Sequence, residues 1–527
     1  MWKYASGFIS TLSLLALPWR TTAYMRQETC TVTNTEYNCR RESLSEIPPN
    51  IPSDTTTLFL EWNQLDHVER LSNLPELQKL ILSHNMINAV VEGAFDDLGE
   101  LWDLRLDNNN ISSLQMDVFC GLQNLTHIDL HSNSLWSLPK SIFSCSQGIQ
   151  VTYAAEKFPD NLIYLDMHDN ELTALSEGIF NHSYNLLYLN IGQNRLTSLP
   201  EGIFRGLGKL KHLILNDNEL SSTSLSVTTF HGLGDLEQLN LARNKMTSLP
   251  GGIFRSLNNL QRLDLQGNGL TSLPDTIFPI SGNLKHLDLS DNALSSLSNS
   301  IFLPENAFRS FDNLTFLNIS RNKISSFPEN VIAGLSELLD FDISDNLLTS
   351  LSENVLNDFT QFLARKGGAT HGTTHQAYLR IEGNPWSCDC TLRELGLWLN
   401  ENYNRLPPES RSTTCSSPAH FKDKPVLEIT SNGLTCGSKP APTSKADTDD
   451  DSDGDNGNTG LVIPGLIGAI LAAAAAAFIC VMFCVGMICC CRSQSKSTKQ
   501  VNKKNKEKTK EKSTVVLMLP EGQKTSK

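Results

Sequence analysis

Hydrophobic and polar positions follow one recurring order along most of this 527-residue chain. Between Leu186 and Lys209 the apolar positions are Leu186, Leu189 and Ile191, and Asn194 follows three places later. Pro200 and Phe204 come next, and at Leu210 the order restarts. Side chains of a strand alternate between two faces, so the pattern predicts a short strand with Leu189 and Ile191 turned inward and the residues between them turned out. A set of amphipathic helices would need apolar residues every 3.6 positions, a spacing that these triplets break. The closing Asn should end the strand and bond backbone groups of its own turn and the adjacent one, which would otherwise be buried unpaired. The Asn column reads Asn63, Asn85, Asn109, Asn133, Asn170, Asn194, Asn218, Asn244, Asn268, Asn292, Asn322, Asn346 and Asn384. A Phe ten residues after the Asn reads Phe95, Phe119, Phe143, Phe180, Phe204, Phe254 and Phe278 and should fill the wider side of each turn.

One such unit cannot bury its own apolar face, whereas stacked neighbours build a continuous core. Three spacings are long: Asn133 to Asn170 is 37 residues, Asn292 to Asn322 is 30 and Asn346 to Asn384 is 38. In stacked repeats such insertions map to loops and often build a binding surface. The last one holds the Gly/Thr-rich stretch Ala364 to Gln376, whose His371 and His375 lack an evident third metal ligand.

The ends of the chain set its compartment. Residues 1–23 read as a secretory signal: Lys3, then an apolar run from Phe8 to Leu17, then Thr21-Thr22-Ala23 as a small-residue cleavage site. A secreted chain makes its cysteines disulfide candidates, and eight lie before the membrane segment: Cys30, Cys39, Cys120, Cys145, Cys388, Cys390, Cys415 and Cys436. Cys120 and Cys145 sit eleven and twelve residues after Asn109 and Asn133, in successive repeats about 4.8 Å apart, which predicts a bridge between them. The stretch from Leu44 to Leu60, strand-like with Pro punctuation, should cover the open end of the core. Residues 438–460 form an acidic stalk with almost nothing apolar, for which disorder is expected. Asp449, Asp451, Asp453 and Gly454 mimic the start of a calcium loop, but its twelfth position would be Gly460, which excludes an EF-hand. Residues 461–491 carry no charge and exceed the ~20 residues that cross a bilayer. Small residues Gly465, Gly468, Ala469, Ala472 and Ala473 offer faces for homo- or hetero-dimer pairing in the membrane. Cys489, Cys490 and Cys491 at its inner boundary are palmitoylation candidates. The tail, 492–527, has eleven basic and three acidic residues, +8, so a whole-chain charge of −14 leaves −22 elsewhere. Positive residues stay in the cytosol, so the repeats are expected outside the plasma membrane in a single-pass type I arrangement.

The Leu and Asn spacing resembles the leucine-rich repeat. The segments Ser198 to Phe204 (SLPEGIF) and Ser248 to Phe254 (SLPGGIF) are similar to repeats of vertebrate Toll-like receptor ectodomains, Slit and jawless-fish variable lymphocyte receptors. The resemblance covers Cys30 to Cys436. It implies an α/β solenoid, a curved horseshoe with a parallel concave sheet, comprising an N-terminal cap (24–54), the repeats (55–384) and a C-terminal cysteine-rich cap (385–437). It also implies that Cys388 pairs with Cys415 and Cys390 with Cys436. A zinc site on these cysteines is disfavoured by secretion and by the Asn384-Pro385-Trp386 lead-in. Two departures stand out: the N-terminal cap holds two cysteines where the family often has four, and the tail is too short for a TIR or kinase domain.

For function, the outward strand positions form a concave stripe. Its middle column includes Arg105, Asp129, Asp166, Asp264 and Asp288; His127, Tyr164, Tyr188 and His212 lie two places before it, and His131 and His168 two places after. The stripe is expected to bind a basic or mixed extracellular protein, or a microbial surface molecule, and not nucleic acid, whose phosphates need the opposite charge. The alternative is that Asp and Asn there simply face water. A metal on His127, Asp129, His131, Asp166 and His168 would need those side chains to converge across an insertion, so no metal or other cofactor is expected. Sequons at Asn110, Asn124, Asn181, Asn313 and Asn318 are glycosylation candidates. No nucleophile–base motif suggests an enzyme. The leading expectation is a recognition or adhesion receptor, with immune recognition included; the alternative is an auxiliary or scaffolding subunit acting through its membrane helix.

Overall fold

A computed structural model describes residues 30–143, 161–278, 282–296, 311, 313–329, 332, 334–365 and 376–431. The expected signal segment, stalk, membrane span and tail lie outside these residues, as do Cys145, Cys436, Cys489, Cys490 and Cys491. Among the described residues no helix is long and apolar enough to cross a membrane. The chain divides into Met1–Ser438 and Lys439–Lys527, and all described residues belong to the first unit.

Each described turn gives the concave sheet one strand of three residues, and two early turns add a short second pair, His67–Val68 with Ala89–Val90. Tyr188–Asn190 pairs in parallel with Tyr164–Asp166 on one side and His212–Ile214 on the other, Leu189 lying level with Leu165 and Leu213. All three leucines are fully buried, and so are Leu186 and Ile191. Repetition of this pairing gives a sheet of fifteen strands among the described residues. Only its first pair, Thr31–Thr33 with Glu36–Asn38, is antiparallel. A strand this short has no stability of its own; burial of the apolar triplet against both neighbours holds it.

The Asn column performs the bonding that its chemistry allows. Asn194 Nδ2 donates to the carbonyls of Met167 (3.0 Å), Ile191 (3.3 Å) and Gly192 (2.9 Å), while its Oδ1 accepts from Leu172 N at 2.9 Å. Each Asn thus ties its own turn to the preceding one. The tight turn forces the residue before each of these Asn into left-handed backbone, as at Gln193 (φ 50) and Asp217 (φ 53). At Gly383 (φ 71) a Cβ would meet Asp345 Oδ1 at 2.0 Å, so a side chain there would require the Asp345 carboxylate to move.

The Phe column runs along the convex side and is longer than the ten-residue spacing predicts. Phe230 lies twelve residues after Asn218, and the turn gains a 3-10 segment at Ser222–Ser224. Its ring nevertheless stacks between Phe204 (6.2 Å) and Phe254 (6.0 Å). Phe311 similarly continues the column beside Phe278 at 5.1 Å. Across the first long spacing the coil continues unbroken: His127–Asp129 pairs directly with Tyr164–Asp166, and Phe143 stacks on Phe180 at 6.1 Å.

In the last long spacing, part of what was expected as loop is the helix Glu353–Leu363. Ser352 Oγ accepts from Val355 N to cap its start, and Val355, Leu356, Phe359, Phe362 and Leu363 make one buried face. Phe359 meets Phe341 (6.2 Å) and Trp398 (6.0 Å), so the helix takes the place of a Phe turn in the convex layer. His371 and His375 lie outside the described residues.

Both ends are closed. Cys30 and Cys39 form a disulfide with Cα atoms 4.4 Å apart. The stretch expected to be strand-like from Leu44 to Leu60 is strand only at Thr57–Phe59, because its prolines cannot donate to a ladder. At the other end Cys388 and Cys415 are joined, with Cα atoms 5.6 Å apart. The helix Arg393–Glu401 there packs Leu395, Trp398 and Leu399 inward beside fully buried Trp386. Cys120 and Cys390 are also disulfide-bonded.

Candidate functional site

Parallel register places equivalent positions of successive turns side by side, so the concave face reads as columns. The first strand position carries a ring ladder. His127 and Tyr164 lie 5.7 Å apart at 19°, Tyr164 and Tyr188 4.6 Å apart at 5°, and Tyr188 and His212 6.1 Å apart at 48°. Trp102, which the column count missed because it precedes the strand, closes the ladder edge-on against His127 at 5.7 Å. All four ladder rings are half-buried. Their faces cover one another, so a partner meets ring edges and phenol oxygens.

The middle column of the acidic stripe serves the backbone. The N–H two residues after each strand's last position points onto the concave face, out of reach of the next strand. A carboxylate or amide supplies its acceptor. His168 N donates to Asp166 Oδ1 at 3.0 Å, Gly192 N to Asn190 at 3.1 Å, Gln266 N to Asp264 at 3.1 Å and Ser290 N to Asp288 at 2.9 Å. Asp and Asn therefore stand in this column first as backbone acceptors. Asp166, expected as a ligand contact, has a side chain only 6% exposed. Its second oxygen accepts from Tyr164 Oη and Asn190 Nδ2, both at 3.2 Å. Burial pushes this carboxyl up, but hydrogen bonds and charge from His168, with Asn190, hold it below the usual range. Asp288 takes Asn318 Nδ2 at 3.3 Å on its second oxygen. Among the described residues, Asp129 and Asp264 keep that oxygen clear of side-chain donors. Arg105, an exposed neighbour, bonds Asp103 at 3.1 Å.

In the third column the imidazoles of His131 and His168 stack at 4.6 Å and 6°. Each Nδ1 rests on the carboxylate two residues earlier, Asp129 at 2.6 Å and Asp166 at 2.7 Å. The Asp129 hydrogen bond raises the His131 pKa above its ordinary value. Burial lowers that of His127 and raises the phenols of Tyr164 and Tyr188. The sequence reading missed Asp107, although the count that gave His131 also reaches it one turn earlier. The structure thus brings together His127, Asp129, His131, Tyr164, Asp166, His168 and Tyr188. Asp264 and Asp288 share the middle column but stand several strands away, beyond Asn190, Ile214 and Asn240.

Of the sequon residues, Asn110, Asn124, Asn181 and Asn313 are exposed. Asn318 is half-buried, with Nδ2 on Asp288 and Oδ1 accepting from Ser320 N at 3.0 Å.

His286 stacks on Phe316 at 3.9 Å with a buried Nδ1 that has no hydrogen-bond partner among the described residues. Burial pushes its pKa from 6.5 down to about 4. The unfolded chain takes up this proton near its ordinary pKa and the folded chain only at the lower one. Stability is therefore whole above about 6.5 and falls as pH drops toward about 4. His286→Phe keeps the stack and removes the titration. The thermal midpoint of the variant should fall less than that of the natural chain across this window. Parallel curves from a pH series of melts would refute this.

The leucine rich repeat family model matches residues 53–111, 100–150, 160–220, 221–270 and 258–324. Leucine-rich repeat-containing protein 3 of Mus musculus is 41% identical over 63 residues, 12% of this chain and 24% of that one. Toll-like receptor 4 of Pongo pygmaeus is 39% identical over 70 residues, 13% of this chain and 8% of that one. This chain thus spans a quarter or less of the length of these curated relatives. The solved Toll–Spatzle complex of Drosophila, in its glycosylated form, aligns with a TM-score of 0.50 at 21% identity, covering 74% of this chain and 56% of that one. At that identity the likeness is one of fold alone. With the Asn ladder, the Phe column and the family match in agreement, this chain is a member of the leucine-rich repeat family.

Proposed function

We propose that this chain is a cell-surface recognition or adhesion receptor that binds an extracellular protein, or a microbial surface molecule, on the concave strip between His127 and His212. The carrying observation is that strip: a ladder of half-buried rings beside the open oxygen of Asp129 and the paired imidazoles of His131 and His168. Aromatic side chains with a polar edge are enriched at protein interfaces. The charge of −22 outside the tail favours a basic partner. In this reading residues 461–491 anchor the chain in the plasma membrane with its repeats outside. In this reading Asn110, Asn124, Asn181 and Asn313 carry glycans, those on Asn124 and Asn313 displacing the bonds to Glu100 and to the Gly282 carbonyl, and one on Asn318 would displace its bond to Asp288 within the concave sheet. Cys120–Cys145 and Cys390–Cys436 bridges and palmitoylation at Cys489, Cys490 and Cys491 complete the proposal.

The test is cross-linking capture of surface partners by the full chain on cells. Tyr188→Ala combined with Asp129→Asn should lower capture by about 30-fold, as loss of a central hot spot does. Arg255→Ala, on the convex side, should leave it intact. Equal capture by all three chains removes the strip as the binding surface.

A further inference from the structure

We propose that the corner between Asp107 and His131 on the concave face binds a divalent transition-metal ion of the zinc class. Among the described residues, Asp107, Asp129 and His131 each bring one ligand atom within 4.8 Å of the others. The imidazole is already oriented for the task. Its Nδ1 lies 2.6 Å from Asp129 Oδ1, which also accepts the His131 backbone N–H at 3.2 Å. A carboxylate so placed keeps the proton on Nδ1 and leaves the Nε2 lone pair free to ligate, the arrangement that orients metal-bound histidines. Asp129 is therefore a positioning residue, and the ligands are His131 Nε2 and Asp107.

The distances suit an ion. His131 Nε2 stands 3.9 Å from Asp107 Oδ2. Tetrahedral zinc bonds imidazole nitrogen and carboxylate oxygen at about 2.0–2.2 Å and holds the two atoms about 3.4 Å apart, so a closure of about 0.5 Å by these side chains brings both onto one ion. Asp107 is held in place by Ser83 Oγ, which donates to its Oδ1 at 2.5 Å. The space between the two ligand atoms is marked by a donor: Asn108 Nδ2 is 3.2 Å from His131 Nε2 and 2.9 Å from Asp107 Oδ2. Two acceptors converging on one amide N–H group define the spot that a cation takes. Turning that amide over presents Asn108 Oδ1 as a third ligand, and water completes the shell. The site is reachable, with His131 24% and Asp107 9% exposed at the side chain. Imidazole in the ligand set favours zinc over calcium or magnesium, which prefer oxygen alone.

The test titrates the full chain with zinc chloride by calorimetry at neutral pH, with free thiols alkylated so that they do not compete. One saturable site is expected, undisturbed by excess calcium or magnesium. His131→Gln should abolish it, and His182→Gln, outside the cluster, should preserve it. Asp129→Asn should weaken it about tenfold through the lost orienting charge. Asn108→Asp, which exchanges the amide for a carboxylate in left-handed backbone that Asp also tolerates, should tighten it about tenfold. Misfolding cannot mimic that gain. Zinc heat that survives His131→Gln, or an Asn108→Asp chain that binds no tighter than the natural one, overturns the site. The readout is metal binding itself, so its failure leaves the receptor reading untouched.

Discussion

Asn194→Ala is expected to cost about 3–5 kcal/mol, a large part of the ~5–15 kcal/mol that holds a typical domain folded. The substitution removes little apolar area. Its cost comes from the four backbone groups that the side chain serves: the carbonyls of Met167, Ile191 and Gly192 and the N–H of Leu172. Asn194 is only 7% exposed, so water cannot replace these bonds without opening the turn. Asn194→Asp should cost at least as much, since a carboxylate would face three carbonyls with no N–H to offer. Asn259→Ala is the control. Asn259 is exposed and makes one 3.3 Å bond to Asp235, so its loss should stay within about 0.5 kcal/mol. Urea unfolding followed by circular dichroism separates the cases. Similar losses at Asn194 and Asn259 would mean that the column does not hold the turns together.

Phe230→Ala should cost about 3–5 kcal/mol by opening a cavity in the convex layer. The ring is fully buried between Phe204 and Phe254, at 6.2 and 6.0 Å. Phe230→Leu should cost less than Ala, because most of the volume is kept. The pattern of damage is as informative as its size. In a solenoid each turn touches only its neighbours, so the loss should be local. Hydrogen exchange should quicken in the turns around Phe204, Phe230 and Phe254 and stay slow around the Cys388–Cys415 cap. Uniform quickening along the whole coil would show a cooperative domain instead of stacked units.

Both variants probe features that differ in how they appear along the chain. The Asn column is legible residue by residue, because the rule that creates it is local: one amide, at a constant distance from an apolar triplet, serving the backbone beside it. The convex column is legible only where the spacing is strict. Phe230 escapes the rule since two extra residues in its turn shift it from ten to twelve places after the Asn, and only the packed coil returns it to line. The helix Glu353–Leu363 shows the same limit. A long spacing announces extra residues and says nothing of whether they leave the coil or fill its convex side.

The concave face divides in the same way. Sequence alone settles which residues face outward, because side-chain alternation in a three-residue strand leaves no choice. It does not settle what they do there. Asp166 looks like a surface charge in the sequence, and the structure makes it a buried acceptor for His168, Tyr164 and Asn190. The stacked pair His131 and His168 is 37 residues apart in the chain and 4.6 Å apart in space. That contact exists because the strands on either side of the long spacing pair directly. The repeat determined by itself a coil of stacked turns, its inward leucines, its Asn ladder and the composition of its open face, all consequences of order within one turn. Contacts between turns belong to the tertiary structure. Parallel register decides which rings stack, which carboxylates take a side-chain donor from the next strand and which oxygens remain free to meet a partner.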